Sequence, residues 1–87
     1  MSYRPTLTGR ALNQFYDLQQ DAAAYRALME RLLRLVEEPW DAWPVQPPAG
    51  EPKFREAHFG EHGNGLISFY VDDATETVRI FNLVWIA

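Results

Sequence analysis

The chain has 87 residues, no cysteine and a formal net charge of −4. That length fits one small domain, and the missing thiols exclude both a disulfide framework and a thiolate metal site. The acidic balance, with Lys53 the one lysine and seven scattered arginines, opposes non-specific binding to phosphate backbones.

In chain order, Tyr3 to Leu7 reads as a short first strand, which Pro5 would hold to a sheet edge or strand start. Thr8 is a candidate N-cap for "GRALNQFYDL", where Leu12, Phe15, Tyr16 and Leu18 fall near one helical face. Asp21 would cap a second helix, in which Tyr25, Leu28, Met29, Leu32, Leu35 and Val36 recur at steps of three and four. Its polar side is not basic, which argues against a membrane-surface helix.

Glu37 to Pro52, "EEPWDAWPVQPPAGEP", holds five of the six prolines, so it reads as a long Pro/Trp-rich loop. Trp40 or Trp43 is expected to fold back over the edge of the core. "KFREAHFG" then opens a meander, "GEHGNG" is a turn, and "LISFYVD" and "ETVRIFNLVWIA" are strands joined around Ala74 and Thr75. The expected class is α+β in the order β-α-α-β-β-β, with two helices packed on one face of a small sheet, as a single domain over residues 1–87.

Pairing Asp72 with Thr77 sorts the hairpin side chains. Ile67, Phe69, Val71, Val78, Ile80 and Val84 would meet the helices, with Asn82 as the polar member of that face. Leu66, opposite Leu83, would share the other face with Ser68, Tyr70, Arg79, Phe81 and Trp85, and Glu56 and His58 would join them. A sparse polar set on a partly apolar sheet is either an interaction face or a shallow active site.

The order of elements and the run "HFGEHGNGLISFYVDDATETVRIFNLVWI" resemble the RelE/ParE superfamily of toxin–antitoxin proteins. The resemblance extends from "YRPTLTGRAL" through "YRALMERLLRLVEEP" to the last hairpin. It implies a RelE/ParE-like domain with a cognate antitoxin as partner; a cytoplasmic location is expected because "MSYRPTLTGR" has no apolar signal core and no apolar run is long enough to span a membrane. RelE-like members cleave messenger RNA on the ribosome with the sheet face opposite the helices, whereas ParE-like members inhibit DNA gyrase. The chain departs from the nuclease pattern. Glu56 and His58 stand where lysines are expected, Leu66 where an arginine is expected, and Ala87 ends the sequence before a tail bearing arginine with tyrosine or histidine.

What remains for catalysis is Glu56 or His58 as base, Arg79 to stabilise phosphate charge, and Tyr70 beside it. Cleavage by 2′-hydroxyl attack needs a base, a donor for the phosphorane oxygens and an acid for the leaving oxygen. Phe81 and Trp85 are the candidate partner-binding residues, since aromatics are enriched at interfaces. No cofactor or metal is expected: "EHGNG" with His62 has too few ligands, and there is no phosphate loop or nucleophile constellation. Two functions follow. One is a RelE/ParE-like toxin whose mRNA interferase activity, and so its translation inhibition, is weak or absent; the acidic charge disfavours ribosome and mRNA as partners. The other is a non-catalytic domain that binds another protein or its own copy as a homodimer. No membrane partner is expected.

Overall fold

The computed structural model describes residues 2–40, 43–44 and 54–86. The described elements are β1 (Arg4–Leu7), α1 (Gly9–Leu18), α2 (Ala22–Glu37), β2 (Trp43–Pro44), β3 (Phe54–Phe59), β4 (Gly65–Asp72) and β5 (Thr77–Trp85). They form an α+β fold with sheet order β1-β5-β4-β3-β2. β1 runs parallel to β5, and every other neighbour is antiparallel. The expected order therefore stands, with a two-residue strand added inside the segment read as a loop. That strand lies at the sheet edge, where proline costs no ladder bond to a further neighbour.

Both helices begin where their caps are written. The Thr8 hydroxyl accepts the Ala11 N–H at 3.3 Å. The Asp21 carboxylate accepts the Ala23 and Ala24 N–H groups at 3.1 Å each. Each bond satisfies a donor that the first helical turn leaves without an intrahelical acceptor. On α2 the apolar stripe buries Leu28, Leu32 and Leu35, while Tyr25, Met29 and Val36 are half-buried. On α1 only Ala11 and Leu18 are buried; Leu12 and Tyr16 are exposed.

Opposite the helices the sheet contributes Ile67, Phe69, Val71, Val78 and Ile80, all at 0% exposure. Their register is the one that alternation demands: Asp72 opposite Thr77, Val71 opposite Val78, Tyr70 opposite Arg79, Phe69 opposite Ile80. Beyond that point the register shifts at Ser68/Phe69, and Ser68 faces Asn82. Phe81 is the extra residue of a β-bulge.

The bulge corrects four expected placements. Leu66 faces Val84 instead of Leu83, so Val84 leaves the helix face. Leu83 faces Ile67 and is buried. Trp85 faces Gly65 and stacks on the Phe59 ring with centroids 5.5 Å apart. A single inserted residue inverts the period-two assignment of everything after it.

The bulge falls where β5 exchanges one neighbour, β1, for a side chain of α1. β1 ends at Leu7, opposite Ile80, so among the described residues the rest of β5 has no strand neighbour on that side. Gln14 takes the place of one. Its Oε1 accepts the Leu83 N–H at 2.7 Å, and its Nε2 donates to Asn82 Oδ1 at 3.0 Å. Asn82 thus keeps a helix contact, through the sheet edge.

The proline-rich segment is described only in part. Trp40 is exposed and carries the Arg55 guanidinium 4.8 Å above its ring. Nearby, the Tyr3 hydroxyl donates to Asp73 Oδ1 at 2.6 Å. Trp40 therefore packs against Arg55 on the outside of the sheet and is not part of the buried core; the side chain of Trp43 lies outside the described residues.

Candidate functional site

The sheet face turned away from the helices carries Phe54, Glu56 and His58 from β3, Leu66, Ser68 and Tyr70 from β4, and Arg79 and Phe81 from β5. This follows from the burial of Ala57 and Phe59 on the opposite face, which leaves the alternate residues of β3 outside. Phe54, Tyr70 and Phe81 form an aromatic cluster. The Phe54 ring meets Tyr70 at 4.9 Å and Phe81 at 5.8 Å, both edge to face. All three are half-buried, so the cluster has an open side.

Arg79 sits beside this cluster, directly opposite Tyr70. Its Nη2 donates to Asp72 Oδ2 at 3.2 Å. Asp72 is itself fixed by the turn: its Oδ1 accepts the Ala74 and Thr75 N–H groups at 3.1 and 3.3 Å. The Thr75 backbone donor, helped by the Arg79 charge and opposed by desolvation, holds the Asp72 carboxyl below the usual carboxylate range. One carboxylate thus closes the hairpin turn and orients the arginine, whose side chain remains 56% exposed.

The four candidate catalytic residues share the face but do not converge. Tyr70 and Arg79 are neighbours in the row that also contains Phe54. Glu56 lies in the next row, opposite Ser68, and His58 one row further, opposite Leu66. At about 3.3 Å per residue and about 4.8 Å per strand, His58 stands roughly 13 Å along and 10 Å across the sheet from Arg79. Glu56 does not pair with Arg79; Asp72 does. His58 is exposed at the β3–β4 turn, and its carbonyl accepts Arg31 Nε of α2 at 3.2 Å. Of the candidate partner-binding aromatics, Phe81 is on the open face and Trp85 on the other.

Three contributors escaped the sequence reading. Asp72 had a signal, an acidic residue at a strand end followed by "DATET", which is an Asx-turn pattern. Phe54 could have been placed by extending the β3 alternation back two residues from Glu56. Gln14 had none, because its role depends on where β1 stops. Among the described residues no group of three or more His, Asp or Glu side chains is placed to hold a metal, and no helix is long and apolar enough to cross a membrane.

No protein-family model matches this chain, and no curated protein matches it by sequence. Solved structures do. The isolated E. coli RelE toxin superposes with a TM-score of 0.81 at 17% identity, over 99% of this chain and 86% of that one. A mutant E. coli RelE in complex with an antitoxin RelBc peptide gives 0.79 at 18% identity, over 100% and 86%. The RelBE2 toxin–antitoxin complex from Mycobacterium tuberculosis gives 0.78 at 20%, over 99% and 100%. With two helices over one face of a mixed sheet, an open aromatic face on the other and this likeness along its whole length, the chain has the RelE-like fold.

Proposed function

We propose that this chain is the toxin component of a toxin–antitoxin pair, held by a protein antitoxin, and that its messenger-RNA cleavage is weak or lost. The observation that carries the first half is the whole-length likeness to RelE toxins, two of them in structures that include an antitoxin. The second half rests on the open face. Phosphate-ester cleavage by an adjacent hydroxyl needs its base and its charge stabiliser within hydrogen-bond reach of one phosphate. Arg79 and Tyr70 meet that condition for a donor pair. His58 does not, and Glu56 lies a row away from them. Arg79 is also engaged by Asp72, so a phosphate would have to share its guanidinium fork with a carboxylate. The net charge of −4 works in the same direction, against docking on RNA.

Induced expression of the lone protein, with growth and transcript integrity followed together, tests this. Growth should slow while transcripts stay intact, and co-expression of the antitoxin should restore growth. Transcript cleavage that disappears in Glu56→Ala or His58→Ala would instead make the open face a working nuclease site.

A second reading, a non-catalytic protein-binding face, is supported by the Phe54–Tyr70–Phe81 cluster, since half-buried aromatics with an open side serve as interface anchors. In that case Tyr70→Ala and Phe81→Ala weaken capture of the partner, and His58→Ala leaves it unchanged.

A further inference from the structure

β5 changes its surroundings halfway along. Thr77–Ile80 lie between β1 and β4, whereas among the described residues Asn82–Trp85 pair with β4 alone. The direction of the Leu83 N–H is fixed by its bond to Gln14, away from β4. Ile86 N–H bonds in the other direction, to Asn64 O at 3.0 Å. Alternation then aims the backbone of Trp85 the same way as that of Leu83. Beyond the end of β1 there is thus a short strand edge on which a side-chain amide stands in for a neighbouring strand.

Beside this edge lies a cavity of about 240 Å³ lined by Gln14, Asp17, Leu18, Asp21, Leu83 and Trp85. Its floor is apolar, from Leu18, Leu83 and the Trp85 ring. Its charged members are Asp17 and Asp21, both exposed carboxylates, and among the described residues no cation lines it. Asp21 is committed to capping α2 through one oxygen, which leaves the other for a further donor.

We propose that this edge receives an extended segment of a partner protein, which adds as a strand beside Leu83–Trp85 and places a lysine or arginine in the cavity. The match is chemical at each level. A strand supplies a carbonyl for Leu83 N–H in place of Gln14 Oε1, which is the β-augmentation mode of peptide recognition. Period-two alternation turns every second side chain of that strand toward the helices and so into the cavity. A long basic side chain lays its aliphatic stem on Leu18, Leu83 and Trp85 and carries its charge out to Asp17 and Asp21. An acidic side chain there would meet two like charges. Docking rests on the reading above for the existence of a protein partner, but not for toxicity, so a chain without effect on growth would retain it.

The test uses the full chain, labelled for amide NMR, and three synthetic five-residue peptides. The first alternates lysine with valine, the second replaces lysine with glutamate, and the third is the lysine peptide with N-methylated backbone. The lysine peptide at millimolar concentration should shift the Leu83 and Trp85 amides, and the other two should not. Asp17→Lys should weaken that binding several-fold, and Gln14→Ala should strengthen it by freeing the Leu83 N–H. No shift with the lysine peptide overturns the proposal. So does equal binding of the glutamate or N-methylated peptide, or shifts confined to the Phe54–Tyr70–Phe81 face. A chain that slows growth yet ignores the lysine peptide would sink this docking mode alone and leave the toxin reading standing.

Discussion

The two halves of β5 share one strand and obey different rules. Thr77–Ile80 are hydrogen-bonded on both sides, and there every side chain lies where simple alternation puts it. Asn82–Trp85 have a strand on one side and a glutamine on the other, and there the alternation is inverted. A strand enclosed by two neighbours cannot take up an extra residue without breaking two ladders. A strand with one neighbour breaks only one, and the helix above can supply the missing acceptor. The consequence is geometric: the enclosed half presents Arg79 to the open face, and the other half sends Leu83 and Trp85 beneath the helices.

The largest expected effect lies in the enclosed half. Phe69→Ala leaves a cavity in the core that also holds Leu28 and Leu35, where all three side chains are fully buried, and should cost about 3–5 kcal/mol in denaturant unfolding. In so small a domain that approaches the whole stability. A loss below about 1 kcal/mol would show the enclosed half to be less tightly packed than its burial states.

The other half should be broken next by Gly65→Ala. A Cβ at Gly65 would run into the Phe59 ring, which is sandwiched between this backbone and Trp85. Overpacking of this kind costs about 1–3 kcal/mol, and Trp85 emission should shift toward that of a solvated indole. Unchanged emission would mean that Phe59 has room to move.

Gln14→Ala comes third. It removes the acceptor of Leu83 N–H and the donor to Asn82, and at a partly solvated edge it should cost about 1 kcal/mol. Amide exchange sharpens the comparison here: Leu83 should exchange faster in the variant while Val78 and Ile80 do not change.

The smallest effects belong to Arg79 and Asp72. Arg79→Ala should leave the thermal midpoint nearly unchanged, because an exposed ion pair contributes little to folding. For Asp72 the sign is fixed by its lowered pKa. A carboxylate that ionises more readily folded than unfolded stabilises the fold above the ordinary value of about 3.9, and that stabilisation is lost as pH falls through the lower, folded value. The midpoint of the wild type should therefore decline with acid in that window, and Asp72→Asn should flatten part of the decline. Parallel pH curves for the two proteins would remove Asp72 as the turn's anchor.

Much of this architecture could be read in advance. Both caps, the α2 stripe, the hairpin turn and the pairing from Asp72 to Phe69 are written locally, in residues a few positions apart. The likeness to the RelE fold was legible from element order, and the superpositions bear it out. The candidate site was legible only as a face. Alternation states which residues share a side of a sheet, but not how far apart the strand register sets them. That is why Glu56, His58, Tyr70 and Arg79 could be grouped from the sequence and yet stand in three separate rows.

The sequence by itself determined where helices start, that the last strands pair as a meander and which side of the proximal hairpin is apolar, because those depend on short-range periodicity and capping. Tertiary structure alone decided that β1 lies parallel beside β5 and stops at Ile80, that Gln14 then takes over its edge, and that Phe81 bulges. These outcomes rest on pairings between residues 68 to 73 positions apart. No local pattern encodes where one strand's end will leave another strand's amide without a partner, and on that amide the placement of Leu83 and Trp85 turns.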